Sequence, residues 1–318
     1  MKQVILSVVL FLSFTNLFAK DNSKEIHVGL LNGPTCIPAA SMMDNQKDRT
    51  FTVFADPQAL LPKMIKKEID IGFMPVNVAA KVYNSGNKAL ICCAVTGLGN
   101  ISIITTDKKL RNFRGLKGKT VYTAGQGATP EYMLRYLLSK NKLTAGQSGN
   151  EDVTLDFSIP TAQIAAQLIS GKIKYAAVPE PFATIAKMKS SDVITALDFQ
   201  KEYLDVTGSQ KIYPISVLVV RNEYAENNPK ALEAFLAEYE KAVDWTIENP
   251  HSAALLTEKH KLGLDAAVVE KAIPVSNYTF ISGPDAEKEI EELLKIFINC
   301  DPKSIGGKLP EKEFYYLP

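Results

Sequence analysis

Ile26-His27-Val28-Gly29-Leu30-Leu31, running into Asn32-Gly33-Pro34-Thr35, reads as a strand that ends in a turn opening a helix. The same grammar repeats downstream. Phe51-Thr52-Val53-Phe54 is a second strand, and Asp56-Pro57 is a cap plus first-turn proline, starting a helix to about Lys67. Asp70-Ile71-Gly72-Phe73 is a third, with a turn at Met74-Pro75-Val76-Asn77 and a helix through Tyr83. Ala89 to Val95 is wholly apolar, the pattern of a strand buried on both faces. Strand, helix and strand in succession mean βαβ units and an α/β layer fold.

Ile101 to Thr105 is a further strand, after which a second α/β set begins. Its strands are Thr120 to Ala124, Val153 to Phe157 and Tyr175 to Val178, with Val193 to Leu197 a weaker one. Its helices start near Thr129, Thr161 and Pro181. Ile215 to Val220 is one more apolar strand, and the rest is mostly helical: Pro229 to Glu248, Ser252 to His260, Asp265 to Ala272 and Pro284 to Ile298. With no low-complexity linker between the sets, two lobes joined by short strands are expected.

The totals agree with two cores. The chain has 318 residues, and 36 Lys+Arg against 35 Asp+Glu give a net charge of +1. That balance offers no field for steering onto nucleic acid, and 46% hydrophobic residues exclude intrinsic disorder. Four Cys exclude a disulfide scaffold. The N-terminus stands apart. Lys2, the apolar run Val4 to Phe14 and the small residue at Ala19 make a secretory signal peptide over residues 1–19, cut after Ala19. The first Cys is Cys36, so no cysteine near the cut can carry a lipid anchor. An exported, soluble protein is expected.

Ligands of open α/β sheets bind beyond the carboxyl ends of the strands, where helix N-termini present free N–H groups. Gly125-Gln126-Gly127-Ala128-Thr129-Pro130-Glu131 is the sharpest such turn. Its glycines admit close approach, Thr129 can cap, Pro130 fits the first turn and Glu131 favours the positive helix end. A well-made helix start with no ligand explains the pattern equally well. Pro130 breaks the third position of G-x-G-x-x-G, and no Lys-Ser/Thr follows, so neither nucleotide motif is present. Asn32-Gly33-Pro34-Thr35 and Pro75-Val76-Asn77 follow similar logic. In Val178-Pro179-Glu180-Pro181 two prolines stiffen the chain around Glu180, which is either a fixed acceptor for a ligand N–H or a helix-start charge.

Catalytic vocabulary is sparse. His27, His251 and His260 stand in no metal-binding spacing, and no G-x-S-x-G elbow occurs. Adjacent Cys92 and Cys93 in a strand point to opposite faces and read as buried thiols. No catalytic residue, metal or cofactor is expected.

The segments Val28–Thr35, Asp70–Phe73, Gly125–Glu131, Val178–Phe182 and Tyr213–Val220, with the helices after Asn228-Pro229, appear in an order that resembles type II periplasmic substrate-binding proteins of ABC importers. Within these the chain is similar to the group with sulfonate-, taurine- and nitrate-binding proteins and binders of thiamine pyrimidine precursors. The resemblance implies an α/β fold of two lobes, each a mostly parallel sheet flanked by helices, with a ligand cleft between. It implies lobe one at 24–100, a second lobe within 101–220 that carries crossovers at Ile101–Thr105 and Ser216–Val220, and helices of 221–318 returning to lobe one. It places a small-molecule ligand between Asn32, Thr35, Pro75 and Asn77 on one side and Gly125, Gln126, Gly127, Ala128, Thr129 and Glu180 on the other. It further implies a periplasmic monomer that closes on its ligand and docks on an ABC permease with its ATPase. None of these turns holds Arg or Lys. Glu180 and the aromatics Tyr122, Tyr132 and Tyr213 favour a flat N–H-bearing heterocycle, such as a pyrimidine, over a sulfonate, taurine or nitrate. From other classes, a pyrimidine-synthesising enzyme of the same fold and a ligand-sensing receptor subunit remain alternatives.

Overall fold

A computed structural model describes residues 25–44 and 48–317. The signal peptide expected at residues 1–19 lies outside them. The chain opens with β1 (Ile26–Leu31), a short α1 (Cys36–Ala39), β2 (Arg49–Phe54) and α2 (Pro57–Ile65). The Asp56 carboxylate accepts from the Ala59 amide at 2.9 Å, so cap and proline start α2 as read from sequence. Then come β3 (Ile71–Pro75), α3 (Val76–Val82), β4 (Leu90–Leu98) and β5 (Ile101–Thr105). β6 (Lys119–Thr123), α4 (Thr129–Lys140), β7 (Ala145–Gly146), β8 (Val153–Asp156), α5 (Thr161–Ile169), β9 (Tyr175–Pro179), α6 (Phe182–Lys189), β10 (Ile194–Asp198) and α7 (Phe199–Thr207) follow. β11 (Pro214–Arg221), α8 (Asn222–Asn227), α9 (Pro229–Glu248), α10 (Pro250–Lys259), α11 (Ala266–Ala272), β12 (Tyr278–Ser282) and α12 (Gly283–Cys300) complete the order.

The strands form two six-stranded sheets, ordered β12-β4-β11-β3-β1-β2 and β10-β5-β9-β6-β8-β7. Both are mixed. β1 pairs in parallel with β2 and β3, while β11 runs antiparallel to β3 and β4, and β12 to β4. In the second sheet β6, β8, β9 and β7 pair in parallel and β5 runs against β9 and β10. The expectation of mostly parallel sheets holds by strand direction, with β11 and β12 reversed in the first sheet and β5 in the second. A strand that enters from the other lobe has no crossover helix to reverse it, so β5 and β11 each insert antiparallel.

The polypeptide passes between sheets at Gly99-Asn100 and again over residues 208–213, beside β5 and β11 rather than within them. The two passages touch. The Gly99 amide donates to the Tyr213 carbonyl at 2.8 Å, and a Cβ on Gly99 would lie 2.5 Å from the Tyr213 ring. Only glycine lets backbone pass that close to the ring.

β4 is buried over Leu90–Gly97, as its unbroken apolar run requires. One face of the first sheet packs on α1, α9 and α10, with Phe235, Tyr239 and Val243 as anchors. The other packs on α2, α3 and α12, and this core continues through Leu293, Phe297 and Tyr132 into the second sheet. Burial at 232, 235, 236, 239, 242, 243 and 246 follows the helical period along α9. A buried ion pair ties the strands together: Arg221 on β11 holds the Asp70 carboxylate at 2.5 Å, and the His27 amide of β1 donates to it at 3.0 Å.

Candidate ligand cleft

Both sheets point the carboxyl ends of their parallel strands at a shared cavity of about 850 Å³. From the second sheet come Thr123 and the Ala124–Ala128 loop after β6, Phe157 and Ile159–Ala162 after β8, and Pro179 and Phe182 after β9. The first sheet contributes from all six strands, including Ala55 after β2, Asn32 after β1, Pro75 at β3, Ser216 on β11, Gly97 on β4 and Tyr278 on β12. The site lies where the general rule for open sheets puts it.

Seven of the eleven expected residues line this cavity: Asn32, Thr35, Pro75, Gly125, Gln126, Gly127 and Ala128. Gly125 and Gly127 have φ of +72° and +73°, the left-handed region that glycine alone enters without strain. Glu131 closes the loop by accepting from the Gly127 amide at 2.7 Å, and Arg135 holds the same carboxylate. Thr35 lines the wall but spends its hydroxyl on its own turn, accepting from the Leu31 amide and donating to the Leu31 carbonyl.

The other four lie off the cavity wall. Asn77 is fully buried, donating to the carbonyls of Gly127 at 2.9 Å and Ser304 at 3.1 Å. Thr129 is buried beside it and donates to Asn77 Oδ1 at 3.2 Å; Ala128, not Thr129, is the N-cap of α4. Tyr213 ends the second passage and packs its ring on Gly99 of the first, its hydroxyl donating to Gln200 Oε1 at 3.0 Å. Glu180 is 6% exposed and accepts from the Thr184 amide at 3.0 Å, so it caps α6. Burial pushes its carboxyl above the ordinary glutamate range, against the pull of its bonds to Thr184. Tyr122 and Tyr132 also lie off the wall, Tyr132 packing on Phe297. The aromatic rings on the wall are Phe157, Phe182, Tyr239 and Tyr278.

Sequence reasoning missed three groups of lining residues. Asp56–Gln58 and Phe157–Ala162 stand at strand-to-helix turns, so the same rule applied to every turn finds them. Leu61, Val78 and Val82 lie one or two helical turns further on, where α2 and α3 wall the cavity. Asn100, Ser276 and Tyr278 form its end near β4 and β12. Asn100 donates to the Ser276 carbonyl at 3.2 Å, while its Oδ1 is buried without a partner and the Tyr278 hydroxyl, beside the Ser276 side chain, makes no well-formed hydrogen bond.

Charge is scarce on the wall, which carries Asp56 and Lys81. Among the described residues no three His, Cys, Asp or Glu side chains gather at metal-binding distance. Burial pushes the Cys36 and Cys92 thiols up to about 12, and Cys92 and Cys93 face different cores on opposite sides of β4. No helix among the described residues is long and apolar enough to cross a membrane.

A model of the NMT1-like family matches residues 23–258. YtlA of Bacillus subtilis (strain 168), named as a binding protein, is 28% identical over 219 residues, which span 67% of this chain and 60% of that protein. The fold is that of an ABC transporter protein from Parabacteroides distasonis, with TM-score 0.76 and 22% identity over 93% of this chain and 99% of the other. The periplasmic aliphatic sulphonate binding protein SsuA of Escherichia coli gives TM-score 0.73 and 17% identity over 93% and 92% of the two chains. The periplasmic nitrate-binding protein NrtA of Synechocystis PCC 6803 gives 0.68 and 14% over 92% and 87%.

Proposed function

The chain belongs to the NMT1-like family, and from that premise we propose that it is the solute-binding component of an ABC-type importer, not an enzyme. One observation carries the reading: a single cavity of about 850 Å³ walled by the carboxyl ends of both sheets. Two lobes joined by two short passages can close on a solute by a hinge motion and present the closed face to a permease and its ATPase. The apolar N-terminal stretch Val4 to Phe14, after Lys2, supports export and a periplasmic location for a monomeric protein. Gene neighbours separate importer from sensor, since a permease and an ATPase beside this gene favour uptake.

The ligand we favour is a small organic molecule, an N–H-bearing heterocycle such as a pyrimidine. Support for this shifts from Glu180, which caps a helix, to Asn100 Oδ1, an unpartnered acceptor at the cavity end. The scarcity of cations on the wall weighs against sulfonates, taurine and nitrate. A thermal-shift screen of pyrimidines, flavins, sulfonates and nitrate tests the choice, because a ligand at 100 times its Kd adds about 2.7 kcal/mol. Small-angle scattering with a positive compound should record a smaller radius of gyration. A chain that no compound stabilises and whose radius never changes refutes the binding role.

A further inference from the structure

The cavity is longer than a heterocycle needs. Its first-sheet wall draws on all six strands, from Tyr278 on β12 to Ala55 after β2. Five interstrand spacings of about 4.8 Å make that wall about 24 Å long. The two ends differ in chemistry. At the β12 end, Asn100 and Tyr278 are 5% and 9% exposed; the Asn100 Oδ1 has no partner, and the Tyr278 hydroxyl has the Ser276 side chain beside it but makes no well-formed hydrogen bond. An unpaired buried acceptor and a poorly paired buried hydroxyl cost free energy until a ligand satisfies them. At the β3–β2 end Leu61 of α2 and Val78 and Val82 of α3, half-buried apolar side chains packed against the core, share the wall with Asp56, Gln58, Lys81 and Ser85. Phe157, Ile159 and Pro160 from the second sheet add to the apolar lining.

We propose that the cleft takes a two-part ligand: an amide-like head, presenting N–H and C=O together, at Asn100 and Tyr278, and an apolar chain or ring system extending along the first sheet to the Leu61–Val78–Val82 trough. This rests on the solute-binding reading above and adds the ligand's shape and polarity. The head supplies N–H to Asn100 Oδ1 and accepts from the Tyr278 hydroxyl. The tail displaces water from the trough. Asp56 and Lys81 leave the lining with no net charge, which suits an uncharged body.

The probe is the series of primary n-alkanamides from butanamide to octanamide, titrated calorimetrically into the full chain beside uracil, taurine and nitrate. Affinity should rise roughly fourfold per methylene. Val78→Asp and Leu61→Asp, on separate helices, should each flatten that dependence. Tyr278→Phe should weaken every length about fivefold, leave the slope unchanged and not lower the ligand-free melting temperature. Binding by uracil, taurine or nitrate with no gain from chain length overturns this inference and leaves the solute-binding reading standing. Amide binding whose slope survives both Asp variants also overturns it. If neither the amides nor the wider panel binds, both readings fall.

Discussion

Asn77 joins parts of the molecule that are distant in sequence, and its removal measures what holds the lobes together. The residue sits at the start of α3, beyond the first sheet, yet two of its three partners belong to the loop and helix start after β6 of the second. Asn77→Ala deletes three hydrogen bonds. The Thr129 hydroxyl at 3.2 Å and the Ser304 carbonyl at 3.1 Å are in buried surroundings and lose their partner outright. The Gly127 carbonyl at 2.9 Å is part-buried and can be rehydrated. At about 1–2 kcal/mol for each of the two buried losses and under about 1 for the third, the expected cost is about 3 kcal/mol. Urea unfolding monitored by circular dichroism reads it. Thr129→Val should cost about 1 kcal/mol, and the double variant less than the sum of the singles by about 1 kcal/mol, because both remove the same bond. A ligand contact would behave differently, with stability unchanged and affinity lost. If Asn77→Ala unfolds within about 0.5 kcal/mol of the parent, or couples to Thr129→Val not at all, the lobe-bridging role is refuted.

Asp70→Ala should destabilise by about 3–5 kcal/mol, since it leaves the Arg221 guanidinium buried without its carboxylate and strips the His27 amide of its acceptor; a cost under about 1 kcal/mol in urea unfolding contradicts that. Glu180 links stability to pH. Its pKa is raised on folding, so its neutral form is favoured in the native state, and that contribution is full below the unfolded value of about 4.3 and is lost as pH rises through the folded pKa. Glu180→Gln should therefore match the parent near pH 3.5 and exceed it in stability at pH 8; a difference that does not vary with pH excludes this account.

Much of the architecture was legible in local pattern. The unbroken apolar run at Ala89–Val95 announced a doubly buried strand, and β4 is one. Asp56-Pro57 announced the start of α2, and the period of Pro229–Glu248 announced α9 with the same bounds. α7 was overlooked although Asp198 caps it and Gly208 closes it at φ +69°, a signal present in the sequence. β12 had no comparable signal. Its pairing with β4 joins residues far apart in the chain, such as Tyr278 with Gly97, and Tyr278 and Ile281 straddle a register shift that blurs the alternation.

The candidate site was legible only as a set of turns. Strand-to-helix junctions must gather at one edge of each sheet, so Asn32, Pro75 and the Gly125–Ala128 loop came together as the rule requires. Which side chain of a turn faces the cavity was not legible. Successive helical residues are rotated by about 100°, so Val78 faces the cavity while Asn77 beside it turns into the core. The same rotation separates Pro130, on the wall, from Thr129, buried against Asn77. Periodicity and turn chemistry are properties of neighbours in the chain, and they determined the α/β layers and the general place of the cleft. The direction of insertion of β5 and β11, the placement of Asn100 and Tyr278 at one end of the cavity and the apolar trough at the other arise from packing between distant segments, and the tertiary structure alone decided them.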